Sequence, residues 1–219
     1  MPNWVTNKIQ APSHVIQAMV NADSGRVDFN TIVKFPGPNG DDWTGIYGDA
    51  ETAAEVVCAK PLSDHPIIAA LEKENRKRID VSAMTDESFK QFIGMIENYR
   101  ACGYLHGMAY ARATWGTKWN ACDPSHSVEG GTADFETAWS CPKGALVELS
   151  KRFPDDEIKV IYADEDIGSN CGSFTLKGGE IAASDIAPPW QSMTEEQRAK
   201  WRAFAYEVKG WEPEPAEED

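Results

Sequence analysis

Two short segments of alternating apolar and polar residues stand out: Trp115-Gly116-Thr117-Lys118-Trp119-Asn120-Ala121 and Ala133-Asp134-Phe135-Glu136-Thr137-Ala138-Trp139. In an extended chain successive side chains point to opposite faces. Trp115, Thr117 and Trp119 then share one face of a first strand, and Phe135, Thr137 and Trp139 one face of a second. On the opposite side Lys118 can meet Glu136 as a cross-strand pair worth about 0.2–1 kcal/mol. The aromatic face carries far more, since each buried ring removes roughly 150–250 Å² from water. Trp115, Trp119, Phe135 and Trp139 are therefore the expected scaffold.

The rest of the pattern supplies flanking elements. Trp4 to Ile9 alternates, with Trp4, Thr6 and Lys8 on one face. Pro12 and Ser13 open a helix with Val15, Ile16, Met19 and Val20 at helical spacing, and Val27 to Phe35 is rich in β-branched residues. That predicts β-α-β for the first thirty-odd residues, closed by turn chemistry from Phe35 to Asp42. Pro66 starts a helix with Ile67, Ile68 and Leu71, continuing into Glu72–Arg78 with Glu-to-Arg pairs four apart. Thr85 caps a longer helix with the stripe Phe89, Phe92, Ile93, Ile96 and Tyr99, ended at Gly103.

After Pro142, Leu146, Leu149 and Phe153 line a short helix. Strands follow at Ile158–Ala163, Ser173–Leu176 and Glu180–Ala183. Gly130-Gly131 and Gly178-Gly179 are turns without the strand–loop–helix context of a phosphate loop. Thr194-Glu195-Glu196-Gln197 is a capping box before a helix with Trp201, Phe204, Ala205 and Val208 inward. The acidic, proline-containing end from Glu212 to Asp219 predicts disorder. Together these give an α+β domain with an antiparallel sheet backed by helices. The expected division is a β-α-β piece over 1–36 packing on the main domain, a mainly helical insert over 37–103, the α+β domain over 104–211, and the tail 212–219.

Composition narrows the chemistry. The chain has 219 residues and a net charge of −14. That charge disfavours direct binding to nucleic acid or an anionic membrane and suits a basic protein partner. No apolar run approaches the ~20 residues of a membrane span. Met1 to Thr6 lacks the positive and apolar regions of a signal peptide, so a cytoplasmic protein is expected. The five cysteines, Cys58, Cys102, Cys122, Cys141 and Cys171, never form a Cys-x-x-Cys, which argues against a disulfide framework or a zinc ribbon.

Four groups could carry chemistry. Asp164, Glu165, Asp166 and Asn170 offer oxygens for Mg²⁺ or Ca²⁺ on a glycine-containing loop, but fit no EF-hand spacing. Cys122, His126, Cys141 and Cys171 contain a Cys-x₃-His spacing, with the other two ligands distant. His14, His65, His106 and His126 lie in no nucleophile motif. Lys118 with Glu136 could face a ligand on an open sheet surface. No metal or cofactor is expected from these, and no catalytic set emerges.

At Trp115–Ala121 and Phe135–Ser140 the chain resembles the YubB-like proteins of phages and plasmids, which carry a ferredoxin-like domain and have no agreed function. Met1-Pro2-Asn3-Trp4, Leu149-Ser150-Lys151-Arg152-Phe153-Pro154 and Ala163–Gly172 extend the resemblance. Cys122 and Cys141 depart from the family's pattern. The resemblance implies a βαββαβ-type fold without an iron–sulfur cluster and a mobile-element setting; it supplies no catalytic residues. The expected function is a non-enzymatic accessory protein that binds a host protein with a basic surface, its carboxylates imitating nucleic-acid phosphates against a defence enzyme. The alternative is a small-molecule-binding or metal-dependent enzyme domain using the open sheet face and loop 164–170.

Overall fold

The computed structural model of the chain describes residues 2–40 and 45–213. It divides into two compact units, Met1–Lys34 with Ala111–Asp219, and Phe35–Tyr110. The chain opens with β1 (Trp4–Gln10) and α1 (Ser13–Met19). Helices α2 (Gly48–Val57), α3 (Pro66–Lys77) and α4 (Asp86–Cys102) follow, and α5 (Gly107–Thr114) leads back toward the first unit. Then come β2 (Cys122–Ser127), β3 (Thr132–Ala138), α6 (Lys143–Arg152) and β4 (Ile158–Asp164). Strands β5 (Cys171–Lys177) and β6 (Glu180–Ile186) and helix α7 (Glu195–Lys209) complete the described chain.

The six strands form one sheet in the order β2-β3-β1-β4-β5-β6, with every neighbouring pair antiparallel. Taken with α1 and α6, the first four strands trace βαββαβ, the ferredoxin-like arrangement, and the β5–β6 hairpin lengthens the sheet at one edge. One sheet face is the core side: Val5 and Ile9, Ala133 and Phe135, Ile158 and Val160, and Phe174 and Leu176 alternate inward and are buried. Val15, Ile16 and Met19 of α1 and Leu146 and Leu149 of α6 complete that layer. Phe29 stands edge-on to both Phe135 and Trp115, with ring centroids 5.4 and 5.6 Å apart. On the opposite face α7 lays Trp201, Ala205 and Val208 against Ala163 and Cys171. The rest of that face is only partly covered: Trp4, Thr6, Asp134 and Glu136 of β1 and β3 are half-buried, and Lys8 of β1 and Lys159 and Ile161 of β4 are exposed.

Several expectations change. Trp115–Ala121 is not a strand. Trp115 N bonds back to Ala111 O, ending α5, and Gly116 turns the chain at φ +85°. Trp115 is still buried, its indole donating to Val33 O at 2.8 Å. The strand that pairs with β3 begins one residue later, at Cys122. Val27–Phe35 is not a strand either: Val27 makes one isolated bridge to Val20, and Asp28 caps the short 3₁₀ turn Phe29–Thr31. The opening segment is therefore β-α, and β1 lies inside the main sheet between β3 and β4. A separate piece over 1–36 and a domain confined to 104–211 give way to one sheet built from both chain regions.

The second unit has its own core of Ala50, Ala53, Ala54, Phe92, Met95 and Leu105. Of the expected α4 stripe, Phe92 is buried, whereas Phe89 and Ile93 are exposed and Met95 takes the inward position. The expected disorder of the tail concerns 214–219, which lie outside the described residues, as do Asp41 and Asp42 of the expected turn.

Candidate functional site

Where α7 stops short of the open sheet face there is a cleft of about 320 Å³. The alternation of β1 turns Trp4, Thr6 and Lys8 toward it, β3 brings Glu136, and the end of α7 brings Val208 and Lys209, with Trp211 beyond. Asp123 enters from β2 with φ +43°, where the β2–β3 register shifts between Cys122 and Ser125. Such a bulge re-aims a side chain that a regular strand would point elsewhere.

The polar floor of the cleft is a relay. Thr6 sits opposite Glu136 in the β1–β3 register, and its hydroxyl donates to Glu136 Oε1 at 2.6 Å. Lys209 Nζ donates to Thr6 Oγ1 at 3.0 Å and to Trp4 O at 3.3 Å, and lies 4.6 Å from the centre of the Trp211 ring. The second carboxylate oxygen, Glu136 Oε2, is buried and has no hydrogen-bond partner among the described residues. Leaving a buried acceptor unsatisfied costs about 1–3 kcal/mol, more for a charged group. Trp4 packs against Trp119 with centroids 5.8 Å apart, so one cleft wall is aromatic. Glu165 reaches the cleft mouth, its backbone N–H donating to Trp4 O at 3.0 Å.

Of the residues singled out from the sequence, Glu136 and Glu165 meet here. Lys118 does not. Without a strand at 115–121 the cross-strand pair with Glu136 is lost, and the Lys118 ammonium sits 4.7 Å over the Trp119 ring instead. Trp4, Thr6 and Lys8 were legible as one face of a strand, but nothing local tied that face to Glu136 or to Lys209 some two hundred residues away.

Asp164 and Asn170 do something else. Asp164 is buried; its Oδ1 accepts from Asp166 N at 3.0 Å and Asn3 Nδ2 at 3.3 Å, and its Oδ2 from Asn170 Nδ2 at 2.7 Å. Asn170 also donates to Trp139 O at 3.2 Å, and Trp139 N donates to Asn3 O at 2.9 Å. The result is a closed ring, Asn3–Asp164–Asn170–Trp139. It uses the Asp164 oxygens as acceptors for two donors of the loop and one from Asn3, while Glu165 and Asp166 are exposed. Among the described residues no group of three or more His, Cys, Asp or Glu is placed to hold a metal ion.

The aromatic scaffold is also revised. Trp115 and Phe135 are buried and Trp119 is half-buried, but Trp139 is 52% exposed. The chain turns there at φ +72°, a backbone conformation that bulky L-residues rarely adopt, so the side chain leaves the face its alternation assigned. Cys141 and Cys171 are buried thiols. Burial pushes both up, Cys171 to about 11 with the Asp164 carboxylate adding to it, so neither is a ready nucleophile or ligand.

The architecture defines an α+β ferredoxin-like domain with an open sheet face. Residues 114–204 match the family model for the ferredoxin-like domain in Api92-like protein. Among solved structures, protein Api92 from Yersinia pseudotuberculosis is similar over 87% of this chain and 100% of its own, at 11% identity and a TM-score of 0.40. No curated protein matches.

Proposed function

We propose that the chain is a non-enzymatic, cytoplasmic binding protein that recognises a basic protein surface by seating one guanidinium or ammonium side chain in the sheet-face cleft. The observation that carries this reading is the buried, unpartnered Glu136 Oε2 beside an aromatic wall. A cationic donor entering the cleft supplies the missing hydrogen bond, a charge-assisted one. It also meets the Trp4 and Trp211 faces, which attract cations. Three carboxylates (Asp123, Glu136 and Glu165) against Lys8 and Lys209 favour a positive guest, because the Lys209 ammonium is already held by Thr6 and Trp4.

The net charge of −14 supports the same partner at longer range, steering a basic surface toward the chain with a salt-sensitive rate. The YubB-like resemblance supports a phage or plasmid setting in which that surface belongs to a host protein. Direct imitation of nucleic acid has weaker support. Some carboxylates of the described surface are paired with cations, as in Glu74–Lys77, Glu148–Lys151 and Asp185–Lys200, and are not free to stand in for phosphates.

The test is a calorimetric titration with an arginine-bearing peptide, with agmatine as the free small-molecule arm. Saturable peptide binding, weakened at least tenfold by Glu136→Gln and by raised salt, is expected. Agmatine binding as tight as the peptide would move the reading to a small-molecule site. Peptide binding that Glu136→Gln leaves unchanged, or none at all, would remove the cleft from the function.

A further inference from the structure

Another groove, of about 420 Å³, is formed at the Trp139 turn; it shares no lining residue with the cleft, and its chemistry is opposite. Arg112, Lys118, Trp139, Thr117 and Ser140 line it together with backbone at Gly116 and Ala138, and no carboxylate does. In a chain of net charge −14 that is a locally cationic surface. We propose that this groove binds a free mononucleotide, its base stacked on the Trp139 indole and its phosphate on Arg112 and Lys118.

The backbone around Trp139 is built to present the ring. The closed hydrogen-bond ring of Asn3, Asp164 and Asn170 clamps both its N–H and its carbonyl. Thr137 Oγ1 donates to Ser140 O at 2.8 Å, and Ser140 Oγ donates to Gly116 O, so the turn is held from the far side as well. All of this sustains a positive φ at a tryptophan whose ring is left half in solvent. A side chain serving only the core would be buried and could take an ordinary backbone conformation. Strain of this kind, held by surrounding structure, is found at ligand sites.

The ligand class follows from what the groove has to offer. An exposed indole face stacks on planar rings, and stacking on any base is tolerant of its identity. Thr117 Oγ1 donates to Ala138 O at 2.9 Å and the Ser140 hydroxyl proton is likewise committed, so donors for the ligand come from the two cations. Arg112 is exposed and has no ion pair among the described residues. Its planar fork matches a phosphate, and Lys118 adds a point charge from its place over Trp119. A groove of this volume lies in the range of small-molecule sites. The free mononucleotide is favoured over a nucleic-acid strand because a polyanion would meet the field of the whole molecule.

Calorimetry on the intact chain at low salt tests the assignment with AMP, GMP, CMP and UMP, against adenosine, inorganic phosphate and a short single-stranded DNA. At least one mononucleotide should bind saturably. Adenosine and phosphate alone should bind at least tenfold more weakly, and Arg112→Gln and Trp139→Gly should each weaken the mononucleotide tenfold or more. Glycine tolerates φ +72°, so Trp139→Gly removes the stacking ring without asking a new side chain to adopt that backbone conformation. Arg112→Gln removes only an exposed side chain and reads the site even if the glycine variant misfolds. Absence of saturable heat with all four mononucleotides, phosphate binding as tight as any of them, undiminished binding in Arg112→Gln, or tighter binding of the DNA strand would each overturn the proposal. The cleft variant Glu136→Gln should leave nucleotide binding unchanged.

Discussion

Asp164 shows how a residue's chemistry can be read while its role is missed. An acid beside two other acids on a glycine-containing loop suits a cation, and nothing within ten residues says otherwise. The fold instead turns its carboxylate onto Asn3, Asp166 and Asn170, one of which lies at the opposite end of the chain. Hydrogen bonds to a charged group contribute about 1.5–3 kcal/mol each, and removing their shared acceptor leaves buried donors behind. Asp164→Ala should therefore lower unfolding stability by roughly 3 kcal/mol or more, read as a fall in the urea midpoint. It should also free the Trp139 turn, changing the near-ultraviolet circular dichroism. Glu136 is the converse case. Its Oε2 has no hydrogen-bond partner among the described residues, so Glu136→Gln should alter stability by less than about 1 kcal/mol while it weakens binding in the cleft. A large loss of stability there would mean that Glu136 serves the fold.

Helix ends were the most legible elements, because caps are local chemistry. Thr85 accepts from Ser88 N and Gly103 closes the same helix at φ +79°, while Thr194 and Gln197 form the reciprocal box before α7. Thr194→Ala should cost about 1 kcal/mol, visible as a lowered melting temperature and faster amide exchange in the first turn of α7. Strands were harder to read, for two physical reasons. Trp115–Ala121 alternates like a strand and does bury Trp115 and Thr117, yet Gly116 lets the chain turn out of α5 before it can pair. The strand that does pair, Cys122–Ser127, contains Pro124 and little apolar surface, and it stands at the sheet edge, where a missing N–H is tolerated. The place of β1 in mid-sheet was beyond local reading altogether, since its partners are β3 and β4, more than a hundred residues on. The cleft inherits that opacity: each wall was recognisable as a strand face or helix end, but their meeting depends on sheet order.

At the scale of the molecule, the sheet unit stores protons that the unfolded chain would release. Cys171, against α7, has its thiol pushed up to about 11 by burial and by the Asp164 carboxylate. Burial raises Cys141 further still and lifts the Tyr162 phenol to about 12, with the neighbouring cysteine sulfurs adding to the tyrosine's shift. In the unfolded chain such thiols ionise near pH 8.5 and the phenol near pH 10, in round figures. Between those values and the folded ones the native state holds more protons than the unfolded state, so stability must fall as pH rises. The folded chain should hold its stability from neutral pH to about pH 8, then lose it progressively toward pH 11, as successive urea midpoints at fixed temperature would record. Cys171→Ala removes one of the groups responsible and should make that decline shallower, even where its smaller side chain lowers the plateau itself. A midpoint independent of pH across this window would show that the α7 face of the sheet admits water, and that the buried layer between α7 and Ala163 and Cys171 is not closed in solution.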